Sequence, residues 1–213
     1  MIKRLQKLIA FSLILIISLI SFIGCSSSKP GSRLKEIKPV KVQVEGVEFK
    51  VGESKVSDLI KGGLLVATDG TLKNGIDGLK IDKMTYYLAY VHKDGYSLGN
   101  ISFVNNTKDS LEYKDCIISE YTMKFKNDTP QGIQHKYDKI LVDGINFNGM
   151  GIDAVKEVMS KKTKEVSDFK EPDGSIAILK YTVDNVEISI SFDARTKLVS
   201  QVVVQVYNTY FES

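Results

Sequence analysis

The residues this chain lacks narrow its chemistry first. Its 213 residues include no tryptophan, only two cysteines, two histidines and four prolines. Cys25 and Cys116 cannot build a disulfide framework between them once either is modified. His92 and His135 stand far apart, with no partners at the spacing of a zinc centre or a Ser/His/Asp arrangement. His-Glu-x-x-His and a phosphate-cradling glycine loop are missing. The stretch from Asp69 to Asp82 also fails as a calcium loop, because Lys73 and Asn74 occupy a ligand and the glycine position. From these gaps we expect no enzyme, no catalytic residue, no metal and no cofactor.

Excess charge is scarce as well. The formal net charge of +3 resides on Lys3, Arg4 and Lys7. Without them the 29 basic residues become 26, matching the 26 acidic ones. A balanced chain has no basic stripe for nucleic acid, so no nucleic-acid partner is expected.

What is present begins with the N-terminus. A positive start is followed by an apolar stretch from Leu8 to Ile23, then Gly24-Cys25 and the polar run Ser26 to Arg33. A charged segment, an apolar segment and a small residue before a cut are the parts of a secretory signal. As a transmembrane helix, the alternative, the apolar run falls short of the roughly 20 residues that cross a bilayer. Phe22-Ile23-Gly24-Cys25 resembles the lipobox of bacterial lipoproteins. The resemblance implies cleavage after residue 24 and acylation of Cys25 with palmitate-type chains. Residues 1–24 are then a signal peptide and 25–39 the lipidated cysteine with a flexible linker. The expected location is the extracytoplasmic face of the cell membrane, where long acyl chains on Cys25 hold the protein durably.

The remainder reads as a diverged tandem repeat. Val44-Glu45-Gly46-Val47-Glu48-Phe49 returns as Val142-Asp143-Gly144-Ile145-Asn146-Phe147. Each copy precedes a short amphipathic segment, with Val56, Leu59 and Ile60 matched to Val155, Val158 and Met159 on one helical face. Ser54 is the candidate N-cap of the first helix, and Gly62-Gly63 its stop. Period-two runs follow: 84–92, 98–104 and a long strand over 111–125, then 176–183, 186–192 and 198–207. Val186, Ile188, Ile190 and Phe192 alternate with Glu187, Ser189 and Ser191, as in a sheet with one wet face. Residues 63–82 read as a long loop inserted in the first copy. The expected fold class is α+β, as two tandem units (40–126 and 135–213), each a short helix packed on an antiparallel sheet.

Gly46-Val47-Glu48-Phe49 with Val56, and Gly144-Ile145-Asn146-Phe147 with Val155, carry a loose likeness. It resembles the repeats of β-lactamase inhibitor protein and of small outer-membrane-assembly lipoproteins. It is also similar to uncharacterised lipoproteins of low-GC Gram-positive bacteria. The resemblance implies a protein-binding or assembly role and transfers no catalytic residue.

Tyrosines are the candidate contact residues. Tyr86, Tyr87, Tyr90 and Tyr96 crowd one hairpin, with Tyr86 and Tyr90 on one face beside Leu88. Rigid amphipathic rings on a wet sheet face make binding anchors. The expected function is a membrane-anchored, non-catalytic module that binds a protein or a cell-wall component. The alternative is an inhibitor of an envelope enzyme, with Gly70 to Asp82 as its inserting loop; an envelope hydrolase ranks lower.

Overall fold

The computed structural model describes residues 40–68, 76–125, 135–183 and 185–206. Cys25 and the residues expected to form a signal segment and linker lie outside them. The described residues belong to one compact unit, residues 36–213. No described helix is long and apolar enough to cross a membrane.

The N-terminal hairpin pairs β1 (Lys41–Val44) with β2 (Val47–Lys50). Glu45 and Gly46 between them both have positive φ, 48° and 87°, the signature of a type I′ turn. Asp143 and Gly144 repeat it at 48° and 82°, after β9 (Ile140–Val142). The recurring hexapeptide therefore encodes one turn made twice. The two copies also pair with each other: β1 and β9 run antiparallel, with Gln43 opposite Leu141 and Val42 and Val44 opposite Val142 and Ile140. Exchanging the copies reproduces that register, so a local two-fold axis passes between Gln43 and Leu141.

The main body is an eight-stranded antiparallel sheet. One half contributes β3 (Leu65–Ala67), β5 (Tyr86–Lys93), β6 (Tyr96–Val104) and β8 (Ile117–Lys124). The other contributes β10 (Val166–Lys170), β11 (Ile176–Val183), β12 (Val186–Phe192) and β13 (Val199–Val206). The order is β10-β11-β12-β13-β8-β6-β5-β3, so the last strand of each half meets the last strand of the other. Thr122 faces Val203 at the middle of that junction. Each half carries a bulge at the corresponding place, between Ser102 and Phe103 and between Ser191 and Phe192. A serine clamps each one: Ser119 Oγ donates to Ser102 O at 3.1 Å, and Ser200 Oγ to Ser191 O at 3.2 Å.

The expected α+β class does not hold. Among the described residues strand makes up 51% and helix 12%, and the halves share one continuous sheet. Helix α1 (Val56–Lys61) has six residues and α2 (Ile152–Ser160) nine. At about 1.5 Å per residue neither spans more than about 14 Å, whereas eight strands extend over about 34 Å. The centre is covered instead by the three-stranded sheet β2-β1-β9, whose Phe49 meets Tyr121 of β8 edge-on with ring centroids 5.5 Å apart. The helices add Val56, Leu59, Val155 and Met159 to the core at its margins.

The register of the helices differs from expectation too. Lys55 bridges Ile117 and Gly151 bridges Leu198, which matches Leu59, not Val56, with Val155. Ile60, predicted on the buried face, is 39% exposed. Lys55 takes the N-cap position; its N–H donates to the Asp58 carboxylate at 2.9 Å. Ser54 Oγ instead accepts from Lys50 N at 3.0 Å and ties down the preceding turn.

The long strand expected over 111–125 is interrupted. β7 (Leu111–Glu112) leads into a 3₁₀ turn at Tyr113–Asp115, and only then does β8 begin. β7 pairs with β4 (Lys80–Ile81), which lies in the stretch read as an irregular loop. This two-stranded strap buries Ile76, Ile81 and Tyr113 against the first half. Its fastening is Asn105, fully buried, whose side-chain amide donates to Ile81 O at 2.8 Å and Asp109 O at 2.7 Å. Tyr113 Oη reaches the Asp77 carboxylate at 3.1 Å.

Candidate functional site

Ile101, Phe103, Ile188 and Ile190 mark the core side of the large sheet, so the intervening positions define its other face. Strand register arranges that open face into rows. The central row starts from Thr122 and Val203. It continues through Ser189, Lys180 and Ser167 on one side and Asn100, Tyr90 and Ala67 on the other, touching every strand. Its floor is mostly hydroxyl and amide, with Lys180, Val203 and Ala67 among them, and its flanks are larger: Leu88 is 50% exposed and Phe169 59% exposed. Tyr86 adds an exposed ring beside Leu88.

A neighbouring row is bonded to the central one. The Glu187 carboxylate, buried at 6% exposure, accepts from Lys180 Nζ at 3.1 Å, Ser189 Oγ at 2.9 Å and Gln205 Nε2 at 3.1 Å. A buried carboxylate persists only with such charge-assisted partners. Thr122 Oγ1 donates in turn to Glu120 at 2.9 Å. These bonds hold the floor in one arrangement before anything binds.

The four tyrosines do not act as a set. Tyr86 and Tyr90 lie on the open face with Leu88, and Tyr90 stacks on His92 at 6.1 Å. Tyr87 points to the other side and stacks on Phe103 at 5.6 Å, where it packs against the core. Tyr96 lies under the Lys136 ammonium, 5.7 Å from its ring centroid. The structure thus brings Tyr86 and Tyr90 together with Leu88 and separates them from Tyr87 and Tyr96. Strand alternation legible in the sequence separates Tyr87. Phe169 and Ile178 on the opposite flank went unmarked, because nothing in the sequence placed β10 at the far edge.

The remaining reactive groups sit elsewhere. His92 is buried in β5, and His135 stacks on Tyr137 at 5.6 Å beside Phe125. Burial, with the Lys124 charge as a second cause, lowers the His135 pKa. Cys116 is buried and its thiol is pushed up to about 11, chiefly by burial, which leaves little nucleophilic thiolate. Asn105, in a sequon-like turn, has no exposed amide to modify. Among the described residues no cluster of three or more His, Cys, Asp or Glu could hold a metal.

A cleft of about 430 Å³ lies at the β12–β13 turn, lined by Lys124, Ser191, Phe192, Asp193, Ala194 and Gln201 among others. Asp193 serves the turn itself, accepting from Arg195 N at 3.0 Å and Thr196 N at 2.8 Å. No family model, no curated protein and no solved structure matches this chain.

Proposed function

We propose that the chain is an extracytoplasmic lipoprotein, anchored through Cys25, that holds a protein or cell-wall component on the open face of its large sheet without chemical turnover. The observation that carries this reading is the face itself. A prearranged polar floor lies between exposed apolar flanks, Tyr86 and Leu88 on one side and Phe169 on the other. Apolar anchors around hydrogen-bonding groups are the usual makeup of a binding patch. The resemblance to β-lactamase inhibitor protein and to assembly lipoproteins supports the same reading. Where the partner is an enzyme, the same contact makes the chain an inhibitor. The loop assigned to insertion for that role has its described part, residues 76–82, fastened down at Ile76 and Ile81.

Two measurements test the reading. Cys25→Ala should move the protein from the membrane to the soluble fraction; equal retention ends the anchoring part. In pull-downs from solubilised membranes, Leu88→Lys with Tyr90→Ala should lose whatever the wild-type chain retains, with far-UV spectra unchanged. Undiminished capture by the double variant ends the open-face part.

A further inference from the structure

The two rows flanking the centre of the open face differ in one respect. Around Glu187, the side chains of Lys180, Ser189 and Gln205 bond to one carboxylate. On the opposite side the row runs Phe169, Ile178, Ser191, Gln201 and Lys124. There, no hydrogen bond or ion pair among the described residues engages the side chains of Ser191, Gln201 or Lys124, and all three line the 430 Å³ cleft. Under the local two-fold relation Lys124 corresponds to Gln205, so the uncommitted cation stands where the other half has a bonded amide. The volume suits a small group, within the roughly 300–1,000 Å³ of ligand pockets.

We propose that this cleft captures the terminal carboxylate of a short peptide, with Lys124, Gln201 and Ser191 donating to its oxygens. The proposal deepens the open-face reading and rests on it. An ammonium, an amide N–H and a hydroxyl are three kinds of donor on one wall, and a carboxylate accepts several at once. The Asp193 carboxylate also lines the cleft, and its charge disfavours a dianion such as phosphate. Phe192 and Ala194 leave apolar surface for a small terminal side chain. The same chemistry is presented by the end of a protein chain and by a wall peptide, which differ in the hand of the last residues.

The test is a titration of the full chain in detergent micelles, followed by amide and side-chain chemical shifts. The probes are acetyl-L-Ala-L-Ala and acetyl-D-Ala-D-Ala, each as the free acid and as the C-terminal amide. At least one free acid should bind, with shifts centred on Ser191, Asp193 and Gln201, and its amide should bind about tenfold more weakly or worse. Lys124→Met should cost a similar factor, whereas Lys156→Met, at an exposed position of α2 away from the cleft, should leave affinity unchanged. Preference for the L acid points to a protein terminus, and preference for the D acid to a wall peptide. Equal binding of acid and amide, shifts mapped away from the cleft, or no binding at millimolar probe overturns the proposal. The open-face reading survives any of these if Leu88→Lys with Tyr90→Ala still abolishes capture.

Discussion

The two halves of the large sheet share their backbone devices and differ in how their ends are covered. Both make the same turn at Glu45-Gly46 and Asp143-Gly144, and both bulge before a phenylalanine, Phe103 or Phe192. Both clamp the bulge with a serine hydroxyl. The first half is then capped by the strap of β4 and β7, with Ile81 and Tyr113 buried and Asn105 fastening it. The second half shows no such strap among its described residues, and every residue of β10 is exposed. Turns and bulges fix the sheet, so both halves keep them. The strap is an addition that stiffens one end and leaves the other end available.

The largest expected effects test the shared part. Phe103→Ala and Phe192→Ala should each destabilise the fold by about 3–5 kcal/mol in denaturant titrations. Phe192 should cost less, since it retains 7% exposure and Phe103 none. If only one of the two matters, the halves are not equivalent in the core. Next comes the strap. Asn105→Ala removes donors to two backbone carbonyls and an acceptor for Thr107 N, and should cost about 2–3 kcal/mol. Amide exchange should speed up at residues 76–82 and 105–113 while β11 to β13 stay protected; uniform acceleration would show that the strap is not a separable addition.

Smaller effects sharpen the symmetry. Ser119→Ala and Ser200→Ala each delete one hydrogen bond at a bulge, and each should cost about 1 kcal/mol. A difference between them above about 1 kcal/mol would break the correspondence of the clamps. The smallest effect is electrostatic. The pKa of His135 is held below the ordinary value in the fold, first by burial and then by Lys124. The unfolded chain then binds the proton more readily, so stability is full above pH of about 6.5 and declines as pH falls below it. Lys124→Met should reduce that decline, and the imidazole proton titration should shift upward. A His135 pKa at or above 6.5 in the folded chain would falsify this assignment.

The hairpins of the fold were legible where period-two alternation and turn residues coincide, as at Asp94-Gly95 between β5 and β6. The fold class was not. The amphipathic spacing of Val56, Leu59 and Ile60 signals a helix without revealing that only six residues form it. Nor does Val42-Gln43-Val44 announce a partner nearly a hundred residues away at Ile140–Val142. That pairing makes the small sheet which displaces helices from the centre of the core. The strap was hidden because two-residue strands carry no period, and Asn105 reads like any turn asparagine until its carbonyl partners are seen. Of the open face, Tyr86, Leu88 and Tyr90 could be marked from alternation, whereas Lys124, Ser191 and Gln201 converge only once β8 lies beside β13.

By itself the sequence determined local matters: a repeated I′ turn requiring positive φ at two residues, alternation that gives each long strand one apolar side, and a near balance of basic and acidic residues. Those follow from neighbours along the chain, where sterics and burial act over a few residues. Tertiary structure alone decided that the two halves fuse through β8 and β13 into one sheet, and that a second sheet covers its middle. It also decided which polar side chains are engaged and which remain available at the β12–β13 cleft. Strand pairing between distant segments depends on the whole set of competing edges, which no local window of residues contains.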